Sequence, residues 1–344
     1  MFINFLLVLI STFVFLIVFD FCLRIIYPLS DLYLPHEAYD YGLKPNKKIN
    51  FSKKEFATTI KINRLGLRDE EFALEKESNC RRIVVLGDSF VFGHGVNLED
   101  TFVKQLERGL NQITDKKIQV INGGINGYDT KREFFYLREK LIHLQPEMII
   151  IAFTLNDPFS NSGEYHFSPL PENPLLRKMP FHALGFFWQY SQNIKKSLKK
   201  AGFKVDYQSF NHLKIFEQAE DQKTKEAWQA TFVYLEKIKE LADENNAQLV
   251  IFNVPTAREL YCPDSFAFDK EIVCEENHNY NKVTDNLSSF AAKERALFIS
   301  LINKFRQETG PLYYPEDGHW NKKAHSLAAE VIQQGLVEKN SLFQ

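Results

Sequence analysis

A chain of 344 residues with a formal net charge of −2 has room for one large domain or two small ones, and lacks the basic excess of a nucleic-acid binder. Hydrophobic residues at 44% and charged residues at 25% place it among globular proteins rather than disordered or fibrous ones. Its four cysteines show no Cys-x-x-Cys spacing, so there is no zinc signature, and no cluster of residues requires a metal or a cofactor.

The first element is apolar throughout. FINFLLVLISTFVFLIVF, residues 2 to 19, carries no charge; Asp20 interrupts, and FCLRIIY extends the run to Tyr27. About 20 such residues cross a bilayer as a helix. A cleaved signal has a basic start, a shorter apolar core and a small-residue cleavage site, and none of these is present. Cys22 follows Asp-Phe, a poor context for lipid attachment. Residues 1 to 27 are therefore expected to form a single-pass membrane anchor. Arg24, Lys47, Lys48, Lys53 and Lys54 favour a cytoplasmic C-terminal side by charge counting. Most of them lie beyond the window where that rule is strong, and the expectation is an exported domain, periplasmic or extracellular. Cys262 and Cys274 sit in one polar loop, placed either to close a disulfide in an oxidising compartment or to remain as buried thiols.

Residues 28 to 80 read as a juxtamembrane segment. The alternation in ATTIKIN predicts a short hairpin there, and the neighbouring lysines read as a solvated face. From residue 82 the pattern changes to strand and helix in turn. RIVVLG is a buried strand, NLEDTFVKQLERGLNQI an amphipathic helix with Asn97 as its cap, and KIQVIN a second strand. DTKREFFYLREKLIHL is a helix stopped before Pro146, and EMIIIAFTLND a third strand. TKEAWQATFVYLEKIKELADENN is a long helix followed by the strand AQLVIFNVP. A helix over 276–293 leads to the strand ALFISL, and NKKAHSLAAEVIQQGLVEK closes the chain as a helix. Continuous apolar strands alternating with helices predict a parallel sheet of about five strands covered on both faces. The stretch 158–222 breaks the rhythm; it is rich in Phe, Tyr and Pro and reads as an insertion, either a lid over the site or a subdomain that packs on the sheet.

Ligands bind at the carboxyl ends of strands in such sheets. Gly87, Asp88 and Ser89 follow the first strand; Asn122, Gly123, Gly124, Asn126 and Gly127 the second; Asn156 and Asp157 the third; Glu316, Asp317, Gly318 and His319 come before the last helix. A hydroxyl, a histidine, an acid, an amide and glycines on one rim are the parts of nucleophilic acyl transfer. Serine needs a base to take its proton, the base needs an acid to fix its tautomer, and the tetrahedral intermediate needs donors for its oxyanion. Each piece alone is ordinary turn chemistry; the order of all four is not.

GDSF at 87–90, NGGINGYDT at 122–130, TLND at 154–157 and DGHWN at 317–321 resemble the four blocks of the SGNH hydrolases, also called GDSL-type esterases. INRLGLRDEEF, ahead of the first strand, resembles an upstream segment of membrane-anchored or secreted members. The resemblance covers about residues 80 to 338. It implies a three-layer α/β/α sandwich over 81–344, with Ser89 as nucleophile and His319 as base. It also implies an oxyanion hole of the Ser89 and Gly127 amides and the Asn156 side chain. The family's last block is Asp-x-x-His, and here that spacing falls on Glu316. Asp317 gives Asp-x-His instead, a form that resembles the alginate O-acetyltransferase-like branch. Asp317 is taken as the acid, with Glu316 as the alternative. His94 is expected no closer than a supporting role, Asp88 is expected to hold the turn, and His325 to pack the last helix.

Three functions fit these residues. One is an esterase that removes acyl groups, acetyl foremost, from a glycan or lipid. The second is an O-acyltransferase that delivers the same acyl group to a cell-envelope sugar. The third is an anchored glycan-binding or scaffold protein with a relict site.

Overall fold

The computed structural model describes residues 2–26, 31–163, 167–170, 191, 194, 212–262 and 274–339. Most of the 158–222 insertion lies outside the described residues, and so does the choice between lid and packing subdomain. Helix α1, Phe2–Ile26, carries no charged side chain from Phe2 to Phe19; its stretch Phe2–Leu23 is long and apolar enough to cross a membrane. Two antiparallel hairpins follow. β1 (Tyr33–His36) pairs with β2 (Asp40–Leu43), and β3 (Lys48–Ser52) pairs with β4 (Ala57–Lys61). The sequence predicted only the second; Pro35 and Gly42 are poor strand residues and hide the first.

The remaining strands form one parallel sheet: β5 (Cys80–Gly87), β6 (Lys117–Asn122), β7 (Met148–Phe153), β8 (Gln248–Asn253) and β9 (Leu297–Phe298), in the order β6-β5-β7-β8-β9. β9 is only two residues long because just Leu297 and Phe298 pair with Val250 and Ile251. Alternation along each strand splits the core in two. Ile83, Val85, Met148, Ile150, Val250 and Phe252 face one layer of helices, α3 (Phe102–Ile113), α9 (Ile302–Gln307) and α10 (Lys322–Glu338). Val84, Leu86, Ile149, Ile151, Leu249 and Ile251 face the other, α4 (Thr130–Glu139), α6 (Gln222–Glu244) and α8 (Lys282–Lys293). The result is the three-layer α/β/α sandwich with a five-stranded parallel sheet.

Three short helices stand at the strand ends: α2 (Ser89–Phe92), α5 (Asp157–Asn161) and α7 (Ala257–Tyr261). One expected cap moves. Thr101, not Asn97, caps α3, through its hydroxyl and the Lys104 N–H, because a 3₁₀ turn over Leu98–Asp100 separates Asn97 from the helix. Asn97 instead accepts from the hydroxyl of Thr58 and the N–H of Thr59, tying β4 to the sandwich.

The registers set the rim. Val85 lies opposite Asn122, Gly87 opposite Ala152, and Phe153 opposite Asn253, so the loops after β5, β6, β7 and β8 emerge together. In this strand order the topological switch falls between β5 and β7, the place where sheets of this kind bind ligands.

Candidate active site

β5 delivers the serine through a corner that only glycine can make. A Cβ on Gly87 would stand 2.3 Å from Val91 Cγ2 and 3.2 Å from the Ala152 backbone oxygen. Asp88 then caps α2, accepting the Phe90 N–H at 3.0 Å. That bond makes it a turn-holding residue, and burial pushes its carboxyl up to about 6, against the pull of the Phe90 N–H and of His319. Ser89 opens α2 half-exposed at the rim.

The loop ahead of α10 brings the other two groups. His319 Nε2 lies 2.7 Å from Ser89 Oγ, and His319 Nδ1 lies 2.5 Å from Asp317 Oδ1. Trp320 anchors this loop from below; it is fully buried between Phe90, Phe102 and Phe305. Burial opposes the charge on Asp317, yet His319, His94 and Lys53 together hold its carboxyl far below the usual carboxylate range. The alternative acid is placed elsewhere. Glu316 is 59% exposed and pairs with Lys54, because adjacent residues of this loop point to opposite sides. Asp-x-His, not Asp-x-x-His, is thus the spacing that reaches the imidazole.

The expected oxyanion donors sit on the neighbouring loops. Gly127 has φ of 76°, and a Cβ there would strike the Phe167 ring at 2.0 Å, so the position takes glycine on both counts. Asn122 fastens this loop to α2 by giving its side-chain amide to Val91 O at 2.9 Å and accepting the Gly124 N–H at 3.0 Å. Asn156 precedes α5 and its Nδ2 lies 3.5 Å from Tyr128 O, a contact weak enough to be exchanged for a ligand. Asp157 beside it is held by the hydroxyls of Thr154 at 3.0 Å and Thr130 at 3.1 Å. Neither the Ser89 nor the Gly127 N–H donates to an acceptor among the described residues.

His325 is buried in α10, accepting the Phe102 N–H at 3.2 Å; burial pushes it down to about 3, so it packs as a neutral ring. His94 comes closer than its position in the glycine turn implies. Its ring lies 4.3 Å from that of His319, and its Nε2 is 3.6 Å from Asp317 Oδ2. Burial lowers His94 from its ordinary value despite Asp317, which leaves it neutral at pH 7. His94, Asp317 and His319 are close enough to share a cation. The second Asp317 oxygen is, however, already 2.5 Å from Lys53 Nζ.

Sequence reasoning missed the bracing of this site by residues 51–69. Arg68 is fully buried and donates to the carbonyls of Phe92 at 2.7 Å, Gly93 at 2.6 Å and Val96 at 2.6 Å, holding the loop after the serine. Asp69 accepts the Asn122 N–H at 2.9 Å and faces Lys104 at 2.6 Å. INRLGLRDEEF was the signal for these two. Nothing local marked Lys53 and Glu55.

No protein-family model and no curated protein matches the chain. Among solved structures it is similar to TesA, at 12% identity and a TM-score of 0.44, over 74% of this chain and 98% of that one. It is similar to the psychrotrophic esterase EstA from a Pseudoalteromonas species, at 14% identity and a TM-score of 0.43, over 76% and 99%. It is also similar to a GDSL-like lipase from Bacteroides thetaiotaomicron, at 13% identity and a TM-score of 0.40, over 78% and 93%.

Proposed function

We propose that this chain is a membrane-anchored serine esterase that removes acyl groups, acetyl foremost, from an O-acylated glycan or lipid. The observation that carries the reading is the unbroken line from Ser89 Oγ through His319 to Asp317, with contacts of 2.7 and 2.5 Å. His319 Nε2 takes the Ser89 proton as Oγ bonds to the ester carbon. The carbonyl oxygen becomes an oxyanion, met by the N–H groups of Ser89 and Gly127 and by Asn156 Nδ2; each such donor is worth about 3 kcal/mol. Asp317 holds the Nδ1–H and stabilises the imidazolium. His319 then gives its proton to the leaving alcohol oxygen as the old C–O bond breaks. Water repeats the cycle on the acyl-enzyme and frees the acid.

A cavity of about 570 Å³ that reaches Phe90 and Gly318, the chain neighbours of Ser89 and His319, supports a bulky substrate; Asn156, Arg258, Tyr261, Tyr313 and Tyr314 also line it. Its aromatic walls suit a sugar ring. The same walls favour a second reading, O-acyl transfer to a cell-envelope polysaccharide, since water kept from an acyl-enzyme leaves it to a hydroxyl acceptor. A relict scaffold site has no need of a complete relay. The Cys262–Cys274 bond, with Cα atoms 5.4 Å apart, supports an exported, oxidising location for the domain.

The full-length chain in detergent is expected to release p-nitrophenol from p-nitrophenyl acetate. Ser89→Ala is expected to lower kcat by at least about 10³-fold. Equal rates for the two proteins overturn the reading. Adding acetylated and bare oligosaccharides separates hydrolysis from transfer: a mass gain of one acyl group on the bare acceptor identifies the transferase.

A further inference from the structure

The β3–β4 hairpin belongs to the stretch that the sequence presents as a connector, yet its tip rests on the loop that carries the acid and the base. Lys53 Nζ is 2.5 Å from Asp317 Oδ2, the oxygen that His319 does not use. Glu55 receives the two backbone N–H groups ahead of Gly318: Glu316 N–H on Oε1 at 3.0 Å and Asp317 N–H on Oε2 at 2.8 Å. Phe51 and Phe56 set their rings against His94 at 5.2 and 5.6 Å, and His94 in turn packs on His319. Phe56 also packs on Tyr314 at 5.0 Å.

The tip is itself fixed. Lys53 N–H bonds to Phe56 O at 2.9 Å, and Thr58 on β4 bonds to Val96 O at 2.8 Å, in the loop that follows the serine. The hairpin therefore touches both halves of the site, which are more than 220 residues apart in the chain.

We infer that the β3–β4 hairpin is a working part of the active site, with Lys53 and Glu55 as positioning residues for Asp317 and, through it, for His319. The inference rests on the esterase reading. A carboxylate held by one oxygen can turn about its Cβ–Cγ bond and swing the imidazole with it. Lys53 stops that rotation from the side chain, and Glu55 stops the loop backbone from shifting beneath it. A misplacement of about 1 Å between reacting groups costs on the order of 10²-fold in rate. The cost falls on kcat, because neither residue faces the cavity that receives the substrate.

The test measures kcat and KM for p-nitrophenyl acetate on the full-length chain. Active serines are counted by fluorophosphonate titration, and Tm is read on the same samples. Lys53→Ala and Glu55→Gln are expected to lower kcat per titrated serine by about 10- to 100-fold with KM within about twofold. Lys53→Arg is expected to restore most of the loss, since a guanidinium reaches the same oxygen. Lys61→Ala, exposed on β4 of the same hairpin, is expected to match the wild type. Wild-type kcat per titrated serine in both Lys53→Ala and Glu55→Gln overturns the inference and leaves the esterase reading standing. So does a loss of rate that only tracks a fall in Tm. An inert wild type overturns both.

Discussion

Glu316 and Asp317 are neighbours with opposite fates. The first is exposed beside Lys54, and the second turns inward, 3% exposed, onto His319 and Lys53. Removing the charge at 317 while keeping the shape leaves His319 free to take the wrong tautomer. Asp317→Asn is expected to lower kcat by about 10⁴-fold. Glu316→Gln breaks only a surface pair and is expected to stay within about twofold of the wild type. Comparable losses in both variants, measured per titrated serine, mean that the acid has been misassigned. The place of Ser89, Gly127, Asn156 and His319 on one rim was legible because each stands in a short block with its own local signature. Lys53 was not. A lysine in a polar stretch looks like any solvated lysine until the fold sets it beside a carboxylate 264 positions away.

At the scale of elements, the strands and helices of the sandwich follow from periodicity, and their ends follow from caps. Asn321 caps α10 with bonds to the Lys323 and Ala324 N–H groups, and Asp129 caps α4 through the Arg132 N–H, as polar residues at those positions should. Thr101 replaced Asn97 only because a 3₁₀ turn intervenes, which a count of residues does not show. Most of helix α1 stands apart from this packing, although Asp20 and Leu23 near its end are buried. From Phe2 to Val18 its side chains are exposed, and hydrophobic groups in that number are unfavourable in water. Its expected place is a bilayer. After carbonate extraction the full-length chain is expected in the membrane pellet; recovery in the supernatant removes the anchor from the proposal.

At the scale of the molecule, several carboxyls are sealed inside the sandwich. Glu133 is buried with neither carboxyl oxygen hydrogen-bonded among the described residues. Burial pushes it well above its ordinary value, and Asp157, Asp88 and Asp129 push the same way. Burial likewise raises Asp157, and raises Glu259 to about 7. A carboxyl whose folded value exceeds its unfolded value keeps a proton that the open chain would release. The stability associated with it is complete below the unfolded value and is lost as pH rises through the folded one. For Glu259 that window runs from 4.5 to about 7. Glu133→Gln keeps the shape without the proton, so its gain in Tm is expected to be larger at pH 8 than at pH 5, by about 3 °C or more. An equal gain at both pH values places the Glu133 carboxyl in contact with water.

The sequence by itself determined what short-range chemistry can determine. It set the apolar first helix, the alternation of strand and helix, and the blocks that bring a serine, a glycine, an asparagine and a histidine to strand ends. These depend on neighbours a few residues apart, where periodicity, caps and turn glycines leave a local mark. The tertiary structure decided which acid faces His319 and how near His94 comes to it. It also decided that a hairpin between the first helix and the sheet reaches the loop that carries Asp317 and His319. Those outcomes hang on contacts between residues hundreds of positions apart, and such contacts form only after the sheet has closed and brought both ends of the chain to one rim.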